Sequence, residues 1–339
     1  MIWMSWRQFR GQAVVGVVVL ALLAAYLVYL GVDIRGAYDD YRAQCPAGGD
    51  CAGPLGQFSL DYENTLLYLA GVLALVPGLL GMFWGAPLIT RELENGTQRL
   101  VWNQSVTRRR WLLIKLLVVG LACMVVAGVA SLLLTWAAAP VDNVADNRFS
   151  TVMFGARFLP PIAYAAFAFV LGTLIGLLVR RTVPAMALTL VAFVIFQFLV
   201  PNLVRPHLMP AKHLVKPMTV SAINEAKSLG SITGAPVLNG LSISQGWITD
   251  VSALKTADGR SLDAKTFDNC YMNAPKTGAT EGPYGDVAVC LAKLDLHVDI
   301  AYQPWNRYWA FQFLESGFYV LLSGLLIGAA VWRVQRRPS

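Results

Sequence analysis

The chain has 339 residues, of which 56% are hydrophobic and only 14% are charged, and its mean hydropathy is +0.54. This composition excludes a soluble globular protein. The net charge of +7 comes largely from cations beside apolar runs. No basic face with interleaved aromatic residues occurs away from those runs, so nucleic acid is not an expected partner.

Six apolar runs are long enough to cross a membrane, because a hydrocarbon core of about 30 Å needs about 20 helical residues. The runs are 12–31, 65–85, 111–139, 154–179, 183–204 and 309–332. The first run is too long for the apolar core of a signal peptide and no small-residue cleavage pattern follows it, so it is predicted to be retained. Before it, Ile2, Trp6 and Phe9 share a helical face, which fits a short interfacial helix or an ordinary membrane anchor.

The segments between the runs alternate in charge. One set, 1–11, 86–110, 180–182 and 333–339, holds twelve arginines against two acids, Glu92 and Glu94, while the other set holds nearly all remaining acids. The positive-inside rule therefore places both termini in the cytosol. The predicted fold class is an α-helical, multi-pass plasma membrane protein with six transmembrane helices.

Small residues and prolines predict how the spans pack and bend. Pairs of glycines at four-residue spacing predict close helix contacts. These pairs are 81 and 85, 172 and 176, and 324 and 328. Pro77, and Pro160 with Pro161, are predicted to bend the second and fourth spans.

The segment 205–308 is the only loop long enough to fold outside the membrane. In "LDLHVDIAY" the apolar residues Leu296, Val298, Ile300 and Tyr302 alternate with other residues, and "WITDV" is a second strand signal. This segment is predicted to be a small extracellular domain that contains strands. Its histidines, His207, His213 and His297, are interpreted as structural or solvated.

Four of the five cysteines lie in the segments predicted to be outside. Two local disulfides, Cys45 with Cys51 and Cys270 with Cys290, are the simplest pairing in an oxidising compartment. Metal binding is the alternative, although neither pair has the close spacing of a zinc site. No metal site is predicted.

The cytosolic loop 86–110 reads as two short helical turns. Pro87 suits the first turn of a helix, Gly96 suits the left-handed residue that ends it, and Thr97 can cap a second turn. Thr107 can cap the third span. Apolar side chains beside Glu92 and Glu94 predict that a partner covers this loop.

Within the spans, we single out two ionisable residues, Arg157 and Glu315. Glu315 could pair with Arg157 in a central cavity, or its side chain could extend outward near Arg307. The chain has no phosphate-binding loop, zinc-protease motif or nucleophile elbow. It is therefore not expected to be an enzyme.

Two stretches carry a resemblance to a known family. "GMFWGAPLITRELENGTQRLVWNQSVTRRRWLLIKL" resembles the E-x-E-x-G-T segment, and the span start after it, of ABC exporter permeases of the type-2 family. "YQPWNRYWAFQFLESGFY" resembles the start of the last span in actinobacterial members. Six spans with a large loop before the last also fit that family.

The resemblance implies a permease that lacks its own ATPase. In that family two permeases, here expected to be identical, pair and dock on two separate ATP-binding subunits, which bind ATP and magnesium. The loop after the second span carries the coupling helix. Carried over by position, the docking residues are Arg91, Glu92, Leu93, Glu94, Gly96 and Thr97. This chain itself is expected to hold no cofactor.

The corresponding domain organisation has three parts. Residues 1–204 hold the N-terminal interfacial helix, spans one to five and the coupling loop 86–110, residues 205–308 form the extracellular domain, and residues 309–339 form the sixth span and cytosolic tail. The candidates for lining a substrate path are Tyr68, Phe193, Phe196, Gln197, Phe198, Glu315 and Arg157. For the first five, ordinary helix packing is the more common role of such residues.

The predicted function is ATP-driven export of a hydrophobic or amphiphilic small molecule, such as a drug or antibiotic, with membrane lipid as a further partner. A lipid exporter is one alternative. A second is a ligand-sensing resistance module that signals to a cytosolic partner without transport, and a third is a scaffold that works without an ATPase.

Overall fold

The chain forms two compact units. The membrane unit comprises Met1–Leu208 and Trp309–Ser339, and the inserted unit comprises Met209–Tyr308. The computed structural model describes residues 2–45, 52–96, 107–144, 149–231, 234–243, 246–276, 278 and 282–336.

Helices dominate the membrane unit, and short helices alternate with strands in the inserted unit. In chain order the helices are α1 (Ile2–Gln44), α2 (Ala52–Leu80), α3 (Pro87–Glu94), α4 (Arg108–Asp142), α5 (Thr151–Ala156), α6 (Pro160–Val179), α7 (Thr182–Leu199), α8 (Val220–Asn224), α9 (Ala264–Met272), α10 (Gly285–Ala292) and α11 (Tyr308–Arg336). The strands are β1 (Lys212–Pro217), β2 (Ser228–Ser231), β3 (Pro236–Asn239), β4 (Gly246–Val251) and β5 (His297–Pro304).

Six helical segments of the described residues are long and apolar enough to cross a membrane. They are Arg10–Gln44, Asp61–Glu94, Arg108–Asp142, Pro160–Val179, Thr182–His207 and Trp305–Arg336. The six predicted spans are therefore confirmed as helical, except that the fourth starts at Pro160 and not at residue 154.

The first two helices are longer than predicted. Helix α1 runs without a break from Ile2 through the apolar run to Gln44, so the separate interfacial helix predicted before the first span is wrong. Beyond the predicted span, α1 packs against α2 through aromatic rings, with the Tyr41 and Phe58 ring centroids 5.8 Å apart. The Tyr62 hydroxyl also donates to Asp33 at 2.9 Å. These contacts stabilise helix where the sequence predicted a loop.

Proline acts differently in the second and fourth spans. Pro77 lies inside α2, and one π-helical turn, Gly81–Gly85, follows and ends where the Ala86 amide donates to the Gly81 carbonyl at 2.9 Å. The prediction that Pro160 and Pro161 bend the fourth span is wrong, because both residues occupy the first turn of α6. The reason is that a proline lacks the amide hydrogen that an interior helical position must donate.

Glycines allow the second and fourth spans to approach backbone to backbone. A Cβ atom added at Gly172 of α6 would lie 2.4 Å from the Gly81 carbonyl oxygen, and one added at Gly85 would lie 2.5 Å from the Phe169 carbonyl oxygen. The first two predicted glycine pairs therefore do form close contacts. The third pair, Gly324 and Gly328, has no atom of the described chain within 4 Å of an added Cβ.

The inserted unit is built on a three-stranded antiparallel sheet with the order β1, β5, β4, and β2 pairs with β3 in a separate two-stranded sheet. Leu296, Val298 and Ile300 are buried in its core together with Phe267 and Leu291 of the helices. This confirms the predicted alternation, because successive side chains of a strand point to opposite faces.

Of the two predicted disulfides, the bridge between Cys270 of α9 and Cys290 of α10 is present. The other predicted bridge, Cys45 with Cys51, includes a residue outside the described part of the chain. Cys123 is a buried free thiol in α4.

We predict that Gly172→Ala lowers the free energy of unfolding by about 1–3 kcal/mol, because the new methyl group overlaps backbone that cannot move without separating two helices. The matched control is Gly317→Ala on α11, where an added Cβ meets nothing within 4 Å. That change should be neutral or slightly stabilising, since alanine favours helix. Unfolding of the purified chain in detergent measures both, and equal effects would contradict the close approach.

We also predict that replacing Cys270 and Cys290 together by serine lowers the stability of the inserted unit by about 3 kcal/mol, because the unfolded chain gains conformational freedom. The measurement is the rate of limited proteolysis within residues 209–308 of the full-length chain. Cys123→Ala, which removes the free thiol of the membrane unit, should leave that rate unchanged. Unaltered protease resistance of the double variant would contradict a stabilising bridge.

Candidate functional site

Helix α3 lies directly after the π-helical turn and has the boundaries that its sequence predicts. Pro87 occupies its first turn, and Gly96 follows its end with a φ of 68°, a left-handed conformation that glycine adopts without strain. Ile89 and Thr90 are completely buried. Thr107, the predicted cap of the third span, accepts a hydrogen bond from the Arg110 amide at 3.4 Å.

Glu92 points into the membrane unit. Lys115 of α4 donates a short hydrogen bond to Glu92 Oε1, and the Lys115 and Glu92 side chains are only 6% and 11% exposed. The prediction that Glu92 faces a partner is therefore wrong. Glu92 follows Ile89 by three residues, which places both on the buried face of α3.

Glu94 is exposed, yet it also contacts another span. Its Oε1 accepts from the Thr182 amide at 2.8 Å and its Oε2 accepts from the Thr182 hydroxyl at 2.5 Å. Thr182 is the first residue of α7, whose own flanking residue, Arg181, supplies no side-chain cap. Glu94 thus caps the amino end of α7, where the helix dipole favours a negative charge.

The same short helix packs against a third span. A Cβ atom added at Gly176 of α6 would lie 2.8 Å from the Ala86 carbonyl oxygen and 2.9 Å from the Thr90 side chain. Helix α3 is therefore fixed to α4 by an ion pair, to α7 by a cap and to α6 by close packing. A displacement of α3 would be transmitted to three spans.

Only part of the predicted docking set is free to contact a partner. Arg91, Asn95 and Gly96 are exposed, Leu93 is half-buried, and Thr97 lies outside the described residues. The outward surface of α3 therefore presents the Arg91 cation and the Asn95 amide, and of the two predicted carboxylates only that of Glu94 is exposed, where it caps α7.

A second cluster of charges is buried in the membrane unit around Glu315, which has no exposed surface. Arg205 donates from Nε to Oε2 at 2.6 Å and from Nη2 to Oε1 at 2.9 Å, and the Tyr164 hydroxyl donates to Oε1. The Arg205 guanidinium also lies over the Phe154 ring, 4.2 Å from its centroid. This network joins the end of the fifth span to the sixth.

Neither sequence-based interpretation of Glu315 is correct. Arg157 pairs instead with Asp142, donating from Nη1 at 2.9 and 3.0 Å, and Arg307 donates to Gln303 and to the Pro210 carbonyl. The sequence suggested Glu315 as a partner of Arg157, but the helix is interrupted between α5 and α6, where Phe158 has a φ of 58°. That break directs Arg157 back toward the end of α4.

Sequence reasoning missed Arg205 and Lys115, although both carried a signal. Lys115 is the only charged residue inside the third apolar run, and a lone charge in a span needs a partner. Arg205 was assigned to the outer segment, but a π-helical turn and a 3₁₀ turn, Arg205–His207, continue the helix past the end of α7.

The five remaining candidates for the substrate path do not form one surface. Phe193 packs against Gly78 of α2, Phe196 stacks edge-on with Phe167, and Gln197 lies beside Gly155. Tyr68 of α2 and Phe198 of α7 are instead 76% and 67% exposed on the outside of the chain. Phe193 and Phe196 thus serve helix packing in this chain.

We predict that Glu315→Gln lowers the free energy of unfolding by about 3–5 kcal/mol, because it leaves a buried guanidinium without a counter-charge. Replacing both partners, Arg205→Met with Glu315→Leu, should restore much of that loss. Unfolding in detergent measures both effects. The exposed pair of Lys216 with Glu225 is the control, and Glu225→Ala should cost less than about 1 kcal/mol. A double variant as unstable as the single one would contradict a buried pair.

Comparison with known proteins identifies the family. No curated protein and no solved structure matches the chain. A family model described as "ABC-2 membrane transporter related" matches residues 17–205, which is more than half of the chain and includes α3, spans two to four and most of the first and fifth spans. The chain therefore belongs to the ABC-2 membrane transporter related family, whose members are membrane subunits of ABC transporters.

Proposed function

We propose that the chain is the permease subunit of an ATP-driven exporter that moves a hydrophobic or amphiphilic small molecule out of the cell. Family membership and the six apolar helices support a multi-pass permease. The apolar, charge-poor spans support a cargo of low polarity. The observation that carries the proposal is the fixation of α3 to three spans, because a short helix outside the apolar runs transmits force only if it is rigidly attached.

In this proposal a separate ATPase subunit binds the exposed face of α3. Arg91, Asn95 and the segment after Gly96 provide the contact, while Glu92 and Glu94 hold the helix to the spans. ATP and magnesium are bound by the partner, two copies of which serve two permeases. Closure of the ATPase pair displaces α3, and the displacement passes to α4, α6 and α7.

The proposed orientation places α3 and both termini in the cytosol. Twelve arginines and only two acids occupy the segments on that side, and in the structure each of these acids binds a group of another helix. The inserted unit with its disulfide then lies outside the cell, where an oxidising environment preserves the bridge.

The proposed cargo path lies between two permeases. Tyr68 and Phe198 are the aromatic residues that support this placement, because both are exposed on spans of the single chain. A second copy that faces them would enclose an aromatic-lined space between the second and fifth spans. The buried Phe193 and the partly buried Phe196 then support this wall from behind.

We predict that different substitutions impair binding of the ATPase to α3 and transfer of its motion from α3 to the spans. Arg91→Glu should reduce co-purification of the ATPase subunit, because it reverses the one exposed cation of α3. Arg336→Glu, an exposed cation at the end of α11, is the control and should have no effect on binding. The measurement is the amount of ATP-binding-cassette subunit that co-purifies with each variant, relative to the wild-type chain.

Glu94→Ala and Thr182→Ala should instead leave ATPase binding intact and lower cargo transport per ATP hydrolysed, because each removes the cap that joins α3 to α7. Reconstituted vesicles with a fluorescent amphiphile measure this ratio. Loss of binding in these two variants, with none in Arg91→Glu, would contradict the assignment of roles. Binding of a ligand by the inserted unit without any associated ATPase would favour the sensing function instead.

A further inference from the structure

A cavity of about 160 Å³ opens between the carboxyl end of α1 and the amino end of α2. On α1 its lining residues follow a spacing of i, i+3, i+4 and i+7, so they share one face of that helix. The lining residues of α2 likewise recur one turn apart. The lining residues are Ala37, Asp40, Tyr41 and Gln44 of α1 and Gln57, Phe58, Asp61 and Tyr62 of α2.

Three aromatic side chains contribute to the lining. Phe58 is only 4% exposed, and its ring centroid lies 5.8 Å from that of Tyr41 and 5.4 Å from that of Tyr62. The contact of Phe58 with Tyr41 joins the two helices, so the rings are held in place before any ligand binds. An aromatic ring offers apolar surface, and its face attracts a cation.

Two carboxylates line the same cavity. Asp40 and Asp61 are both exposed, and the Gln57 side-chain amide donates to the two oxygens of Asp61 at 3.1 and 3.2 Å. Within the part of the chain that the structure describes, neither carboxylate forms an ion pair. Since the Gln57 amide is neutral, no cation of the described chain neutralises either charge.

The two arginines of this part of α1 contact other groups. The Arg35 guanidinium lies over the Trp136 ring, 3.8 Å from its centroid, and donates to the Trp136 carbonyl at 2.7 Å. The Arg42 guanidinium lies 6.0 Å from the centroid of the Tyr38 ring. The described lining of the cavity therefore carries two negative charges and no positive one, which favours a cationic ligand.

The cavity lies beyond the expected level of the lipid headgroups. The first apolar run ends at Gly31, and Ala37 and Gln44 lie roughly 9 and 20 Å further along α1 at about 1.5 Å per residue. The headgroup layer adds only about 5–8 Å on each side of the hydrocarbon. A ligand dissolved in water therefore reaches the cavity more readily than a membrane lipid does.

The lining residues also restrict the kind of cation. Among the described residues, no group of three or more histidine, cysteine, aspartate or glutamate side chains could hold a metal ion. A primary ammonium group needs three hydrogen-bond acceptors, and the carboxylate and glutamine oxygens provide them. The cavity has about half the volume of the smallest usual site for a drug-sized ligand, so the alkyl group must be short.

We propose that this cavity binds a small water-soluble alkylamine in its ammonium form. The ammonium group binds the carboxylates of Asp40 and Asp61, and its methylene groups contact the rings of Tyr41 and Tyr62. The proposal does not rest on the proposed transport function, because it concerns binding by this chain alone.

The test is calorimetric titration of the full-length chain, in neutral detergent free of lipid, with butylammonium. Butanol and butyrate have the same alkyl length and lack the positive charge, so they are the matched ligands. Butylammonium should bind with a single site per chain and bind more weakly as sodium chloride is raised, because salt screens exposed charges. Equal binding of butanol, or no binding of butylammonium, would overturn the proposal.

A matched pair of variants tests the carboxylates. Asp40→Asn should weaken butylammonium binding about fivefold, since an exposed ion pair contributes about that factor. Asp39→Asn makes the same change of charge at the next position of α1, which is exposed and does not line the cavity. That control should change the dissociation constant by less than about twofold. Equal weakening by both variants would show attraction to the surface in general and would overturn the site.

The aromatic contact is tested in the same way. Tyr41→Leu should weaken butylammonium binding by about two- to fivefold, because it removes a ring that attracts the cation. The control is Tyr29→Leu on the same helix, where the ring is 70% exposed and does not line the cavity. An unchanged dissociation constant in Tyr41→Leu would overturn the aromatic contact, and the aspartate pair remains decisive if that variant does not fold.

Two competition experiments test the alternative occupants. In phosphatidylglycerol vesicles, added phosphatidylethanolamine should leave butylammonium binding unchanged, and competition by that lipid would assign the cavity to a headgroup. Calcium at a concentration too low to screen charge should also leave binding unchanged, and displacement by calcium would assign the carboxylates to a metal ion. Either competition would overturn the assignment to a soluble amine.

Discussion

A charge that is buried among apolar helices must be paired, and this constraint explains the irregular parts of the membrane unit. Three ion pairs satisfy it among the described residues: Glu92 with Lys115, Arg157 with Asp142, and Arg205 with Glu315. In each pair one partner lies in or beside a short or distorted segment and the other lies on a long helix. Desolvation makes each pair costly to break, so these segments are held in place more firmly than their length alone would allow.

The pair of Glu92 with Lys115 has the most direct bearing on the proposed transport cycle. Helix α3 has only eight residues and would be marginal in isolation, because short helices gain too few hydrogen bonds to offset their nucleation. The ion pair, the cap that Glu94 provides for α7 and the glycine contact with α6 together join it to the spans. This explains why acids occur in a loop that is otherwise basic.

The pair of Arg205 with Glu315 has a comparable position at the other end of the spans. Arg205 lies shortly before the inserted unit in the chain and Glu315 shortly after it. The bidentate contact joins the fifth span, which precedes the inserted unit in the chain, to the sixth span, which follows it. Tyr164 adds the fourth span to the same network. The glycine contacts between the π-helical turn Gly81–Gly85 and α6 complete this framework, because they bring the turn against the fourth span without intervening side chains.

The sequence by itself determined the class of protein, the six apolar helices, the boundaries of α3, the strand that contains Val298 and Ile300, and the pairing of Cys270 with Cys290. These features depend on local composition and periodicity, which the sequence contains directly. The tertiary structure alone decided which charges pair, since Glu315 had two plausible neighbours in the sequence and bound neither. It also decided that Glu92 points inward, because its partner Lys115 lies 23 residues further along the chain. It decided as well that Pro160 begins a helix, because the left-handed residue Phe158 interrupts the helix before it. The periodicity of a sequence indicates which face of a helix is buried, but only tertiary packing determines which residues that face contacts.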